Sequence, residues 1–113
     1  MELKIHTIGK RNFAELVSDK QEINKLQDAI DILGNAFYLG AETIIIKKEN
    51  LHPDFFELKT KFAGDILQKF SNYRLNLVII GDFKNNKSKS LNDFILESNK
   101  TGHIMFVSSL EEV

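Results

Sequence analysis

Apolar positions in this chain fall into short runs and periodic stripes, and the alternation between the two predicts the elements. Residues 3–8 alternate, with Leu3 and Ile5 on one face, and read as a first strand. Gly9-Lys10-Arg11-Asn12 is a turn cluster, and residues 13–17 read as a second strand that closes a hairpin with the first. Asp19 suits a helix N-cap, with Glu22 three residues on as in a capping box. Ile23, Leu26, Ile30, Leu33 and Phe37 then recur at steps of three and four, the apolar stripe of one long helix. Gly40 stands where a left-handed residue would end it. The stripe lasts too few heptads to predict a coiled coil.

Residues 43–47 form the third expected strand, and the run Ile44-Ile45-Ile46 predicts burial on both faces. Glu49-Asn50-Leu51-His52-Pro53-Asp54 leads into a second helical region. Pro53 fits the first helical position, and Asp54 complements the positive end of the helix dipole. Phe62, Ile66, Leu67 and Phe70 mark its buried stripe. Gly64 costs this helix about 1 kcal/mol relative to alanine, and is expected to allow close approach to the sheet. Residues 75–83 carry a run of largely β-branched residues that stops at Gly81-Asp82, as a central strand ends in a turn. A polar, basic loop follows at 84–89. Ser90 and Asp93 then resemble a capping box, Leu91, Phe94 and Ile95 give a third helix its apolar side, and Gly102 ends it before a last strand at 103–107.

The order is β-β-α-β-α-β-α-β. Strands joined through helices imply right-handed crossovers and parallel neighbours. The expected fold is α/β: one small mixed sheet with an N-terminal antiparallel hairpin and parallel βα units. The hairpin supplies an edge strand that could pair in a homodimer. No linker or repeat divides the 113 residues, which read as a single domain over 1–113.

Composition narrows the function classes. The formal net charge of −1 gives no general electrostatic footprint for nucleic acid or an anionic membrane. Hydrophobic residues at 42% and charged residues at 27% are ordinary for a soluble domain. The absence of cysteine excludes disulfides, thiolate nucleophiles and thiolate zinc sites. No secretory signal and no membrane-length apolar run is visible, so the expected location is cytoplasmic.

In open α/β sheets, ligands bind beyond the carboxyl ends of the strands. There the third and fourth strands would bring Glu49, His52 and Asp54 near Asp82, Lys84 and Ser88-Lys89-Ser90, with Ser108 and Ser109 at the same edge. Lys84, Lys87 and Lys89, with the backbone N–H groups of the helix after Ser90, suit a phosphate or carboxylate. The Gly-x-x-x-x-Gly-Lys-Ser/Thr spacing of a P-loop is absent. His52 with Asp54 or Asp82 has the residue types for acid–base work, yet His-Pro-Asp at a helix start also reads as capping. His6, His52 and His103 lie in different elements, so no metal site and no cofactor is expected. Phe55 and Phe56 are adjacent and cannot both easily share one buried helix face, which makes them candidate anchors for a protein partner.

Several segments together carry a resemblance to a known group. They are residues 49–56 (Glu-Asn-Leu-His-Pro-Asp-Phe-Phe), residues 63–70 (Ala-Gly-Asp-Ile-Leu-Gln-Lys-Phe), Gly81-Asp82-Phe83, Ser88-Lys89-Ser90-Leu91 and Glu97-Ser98-Asn99. With them the chain resembles the uncharacterised bacterial domain-of-unknown-function 4180 family, which carries no established activity. The element order is also similar to the STAS domain, the module of sulfate transporters and anti-sigma-factor antagonists. Residues 64–70 resemble the helix that follows that module's phosphorylated serine, and a loose alignment puts Thr60 near the phosphoacceptor position. The usual Asp-Ser-Ser/Thr-Gly signature is replaced by Leu58-Lys59-Thr60-Lys61, and Pro53 and Phe55-Phe56 are additional. The resemblance implies a non-catalytic regulatory or protein-interaction domain with Phe55, Phe56 and Thr60 on its working surface. The alternative is a sensor or enzyme for a phosphate- or carboxylate-bearing small molecule, held by His52, Asp54, Asp82, Lys84, Lys89 and Ser90.

Overall fold

A computed structural model describes residues 2–112 of the chain. Five strands form one sheet: β1 (Glu2–Ile8), β2 (Arg11–Val17), β3 (Thr43–Lys47), β4 (Asn76–Ile80) and β5 (Ile104–Val107). They lie side by side in chain order, β1 antiparallel to β2 and all later neighbours parallel. Gly9 (φ +63°) and Lys10 make the two-residue turn between Ile8 and Arg11. A glycine at the first turn position is what a tight hairpin with the right twist needs.

Three helices, α1 (Leu26–Tyr38), α2 (Phe62–Tyr73) and α3 (Lys89–Thr101), cross between the parallel strands. Right-handed crossovers that always step in the same direction place every helix on the same side of a sheet. The core shows this. Ala14, Leu16, Ile44, Ile46, Leu77, Ile79, Ile104 and Phe106 pack with Ala29, Ile32, Leu33, Ala36, Ala63, Ile66 and Phe70 of the helices. On the other face, Phe13, Ile45, Val78 and Val107 form a cluster joined by Ile80 and Met105 but by no helix residue. Ile44, Ile45 and Ile46 are all buried, as their run predicts.

The structure departs from the sequence reading at several element starts. Asp19 caps nothing: its carboxylate takes a hydrogen bond from Lys47 Nζ at 2.9 Å, which holds the Asp19 carboxyl below its usual range and raises Lys47. The helix begins seven residues later, where Asp28 receives the N–H groups of Asn24 and Lys25. Between them the chain is held extended by Asn50, whose carbonyl accepts from the N–H groups of Glu22 and Ile23. The face of α1 that meets the core is Ala29, Ile32, Leu33 and Ala36, while Phe37 is exposed with its ring edge against Tyr73. Counting only large apolar residues rotated the stripe away from the two alanines.

Residues 53–60 fold as two short 3-10 turns, Pro53–Phe56 and Leu58–Thr60, before α2 starts. At α3 the N-cap is Ser88, whose hydroxyl accepts from Leu91 N–H, and Ser90 sits inside the first turn. Gly102 ends α3 in the left-handed region, as expected.

Gly64 does not serve close packing. It is exposed, and a Cβ built there meets nothing within 4 Å. Gly64→Ala should therefore stabilise the domain by about 0.5–1 kcal/mol, through helix propensity and a less flexible unfolded chain. A urea unfolding midpoint that falls in this variant would refute the reading.

Candidate functional site

The parallel strands end together at one edge, where Lys48 follows β3, Gly81 follows β4 and Ser108 follows β5. Lys48 leans across to the neighbouring strand end. A Cβ on Gly81 would lie 2.7 Å from Lys48 Cβ, so only glycine fits there without displacement. The Lys48 ammonium donates to the Asp82 carbonyl at 3.2 Å. It also stands 5.3 Å from the Phe83 ring centroid and 5.7 Å from that of Phe56. A cation over two ring faces is attracted by both quadrupoles.

Those rings are anchored from below. Phe56 meets the wholly buried Phe55 edge-on at 5.1 Å, and Phe83 meets Phe106 at 5.2 Å. Phe106 in turn touches Phe94 of α3 at 5.9 Å. The aromatic chain thus runs from the core to the mouth of an open groove.

Two depressions form the groove and share Asp82 and Phe83. One, of about 620 Å³, includes Lys48, Phe56, Glu57 and Lys87 in its walls. The other, of about 520 Å³, includes Gly81, Lys84, Phe106 and Ser108. Each falls in the size range of small-molecule sites, and aromatic rings and charged side chains share the walls.

The residues expected at this edge divide. Asp82 and Lys84 line the groove, and the Asp82 carboxylate accepts from Lys84 N–H at 3.0 Å, closing the turn after β4. Ser90 lies in an adjoining hollow beside Phe56 and Leu58. His52 is elsewhere. Its Nδ1 accepts from Asp54 N–H at 3.0 Å as the cap of the 3-10 turn, and its ring abuts Phe62. The His52 Nδ1 and Asp54 carboxylate are 3.7 Å apart. Neither is among the residues walling the two depressions. Lys89 pairs along α3 with Asp93 at 2.8 Å, a hydrogen bond that raises its pKa. The expected meeting of His52, Asp82 and Lys89 does not occur.

Phe55 and Phe56 take opposite roles: Phe55 is core, and Phe56 is half-buried in the groove wall. Thr60 is exposed, but its hydroxyl has local work. It lies 2.8 Å from the carbonyls of both Asp54 and Glu57 and accepts from Phe62 N–H at 3.2 Å, tying the 3-10 turns to α2. Lys48 was missed by sequence reasoning, and Phe83 entered it only within the Gly81-Asp82-Phe83 segment of the family resemblance, not as a site residue. The only signal was a glycine directly after a strand, which reads equally well as a turn residue.

A polar relay occupies the opposite, amino-terminal edge of the sheet. His103 Nδ1 is 2.9 Å from Asn76 Oδ1, and His103 Nε2 is 3.3 Å from Ser71 Oγ. The residue types suggest acyl transfer, but Ser71 lies in the last turn of α2 rather than on a strained elbow aimed into a cleft. The relay joins the end of α2 to the starts of β4 and β5. On the sheet face away from the helices, His6 Nε2 pairs with Glu15 at 2.7 Å. Among the described residues, no three His, Asp or Glu side chains group as a metal site would require. Among the described residues, no helix is long and apolar enough to cross a membrane.

The family model for a domain of unknown function, DUF4180, matches residues 8–113, which is nearly the whole chain. The chain belongs to this family. The DUF4180 match therefore spans the groove, the helices and all strands but most of β1. No curated protein and no solved structure matches the chain.

Proposed function

We propose that this DUF4180 domain is a non-catalytic, cytoplasmic regulatory domain that binds a carboxylate- or phosphate-bearing small molecule in the groove at the carboxyl ends of β3, β4 and β5. The carrying observation is the Lys48 ammonium held between Phe56 and Phe83. It uses one donor on the Asp82 carbonyl and keeps others for an anion, while the rings offer an apolar wall to the rest of the ligand. Lys84 and Lys87 add positive charge on either side. The separation of His52 from the groove supports binding rather than acid–base catalysis.

The STAS-like reading, with a protein partner, draws support from the order of elements and from Phe56, the one candidate anchor that is partly exposed. It shares the groove with the ligand reading. Thr60 belongs to it less comfortably, since a phosphate there would break the hydroxyl's contacts with Asp54, Glu57 and Phe62.

A thermal-shift screen of small carboxylates and phosphate esters tests the proposal, because a ligand that binds only the native state raises the midpoint. At least one should raise it, and Lys48→Met, which keeps the stem and removes the charge, should abolish the rise. Failure of every compound, or an unchanged rise in Lys48→Met, overturns the anion site.

A further inference from the structure

We propose that β1 is a dimerisation edge, pairing antiparallel with β1 of a second copy so that Ile5 lies on the twofold axis. The free groups on this edge follow from the hairpin. Asn12 turns its carbonyl toward β3, where it accepts from Glu42 N–H at 2.9 Å. Asn12 and Thr7 are therefore opposed without exchanging hydrogen bonds. Alternation along the ladder then makes Leu3, Ile5 and Thr7 the residues whose N–H and C=O point away from β2.

With Ile5 opposite the partner's Ile5, Leu3 falls opposite the partner's Thr7. Each opposed pair exchanges two hydrogen bonds, so every outward group on Leu3, Ile5 and Thr7 is satisfied. The neighbouring registers are worse. A slip one way sets Lys4 directly against the partner's Lys4, a destabilising like-charge pair. A slip the other way sets His6 against the partner's His6 and strands the outward groups of Leu3. In the favoured register Lys4 instead lies between its own Glu15 and the partner's His6.

The side chains agree with the backbone. Leu3 and Ile5 point to the helix side, where they oppose Leu16 and Ala14 of the core. Ile5 is nevertheless 38% exposed, and beside Leu3 the end of α1 leaves Tyr38 and Leu39 87% and 46% exposed. Leu3, Asn35, Tyr38 and Leu39 line one shallow depression along this edge. Long edge strands that stand alone are usually blunted by proline, a bulge or an inward charge. β1 has seven residues in unbroken register with no proline, bulge or inward charge; its edge charges, Glu2 and Lys4, lie on the face away from the helices. A second copy covers the edge and its apolar border at once, and the two sheets become one.

Sedimentation equilibrium of the full chain at high micromolar concentration should give a dimer. Ile5→Lys should convert it to a monomer of unchanged circular dichroism. The native chain has no cysteine, so single thiols report the register. Ile5→Cys should cross-link under mild oxidation, because the paired Cα atoms would be about 5.5 Å apart. Thr7→Cys should not, since its two copies would be about 14 Å apart along the strands. A monomeric native chain, a dimer that survives Ile5→Lys, or cross-linking through Thr7→Cys in place of Ile5→Cys would overturn the proposal.

Discussion

Asn50→Ala should lower the unfolding free energy by roughly 3–5 kcal/mol, since it deprives three backbone groups of their partner. Asn50 is fully buried. Its Oδ1 accepts from Lys47 N–H at 2.8 Å, and its Nδ2 donates to the carbonyls of Ser18 and Lys20 at 3.0 and 2.8 Å. Through these bonds one side chain fixes the extended segment after β2 to the end of β3. The segment continues into the bridge between Ile23 and Leu51, both of which belong to the core. Asn50→Asp keeps the acceptor for Lys47 but faces two carbonyl oxygens with a carboxylate, so it should recover little. Urea unfolding of both variants checks this. A loss below about 1 kcal/mol in Asn50→Ala would show that water replaces the side chain without penalty.

The same residue explains why the start of α1 was hidden in the sequence. Asp19 and Glu22 satisfy the local spacing of a capping box, and nothing nearby argues against it. What decides the conformation is Asn50, about thirty positions away, through bonds that no local pattern reports. Strands were easier to read. A run such as Ile44-Ile45-Ile46 must be buried on both faces wherever it lies, so its pattern is local and sufficient. The groove shows the same division. Asp82 and Lys84 were legible because a strand ending at Gly-Asp predicts a turn at the ligand edge of an α/β sheet. Lys48 was not, because its position depends on how closely two strand ends approach, and Gly81 records that approach without naming the partner.

Phe55→Ala should destabilise the fold by about 3–5 kcal/mol, and Phe56→Ala by roughly 1–2 kcal/mol, although the two are adjacent in sequence. Phe55 is wholly enclosed among the residues beneath the sheet, and its removal leaves a cavity that the surrounding side chains cannot fill. Phe56 touches Phe55 on one side and stands beside Lys48 and Phe83 on the other, so truncation opens onto solvent rather than onto a void. The functional consequences run in the reverse order. Phe56→Ala removes half of the aromatic cradle around the Lys48 ammonium, and should weaken the stabilisation conferred by an anionic ligand. Phe55→Leu keeps much of the core volume and should leave that stabilisation intact. Urea midpoints together with ligand-induced thermal shifts separate the two roles. Equal destabilisation by Phe55→Ala and Phe56→Ala would remove the distinction between core and groove. A ligand response that survives Phe56→Ala but fails in Phe55→Leu would move the binding surface away from Lys48.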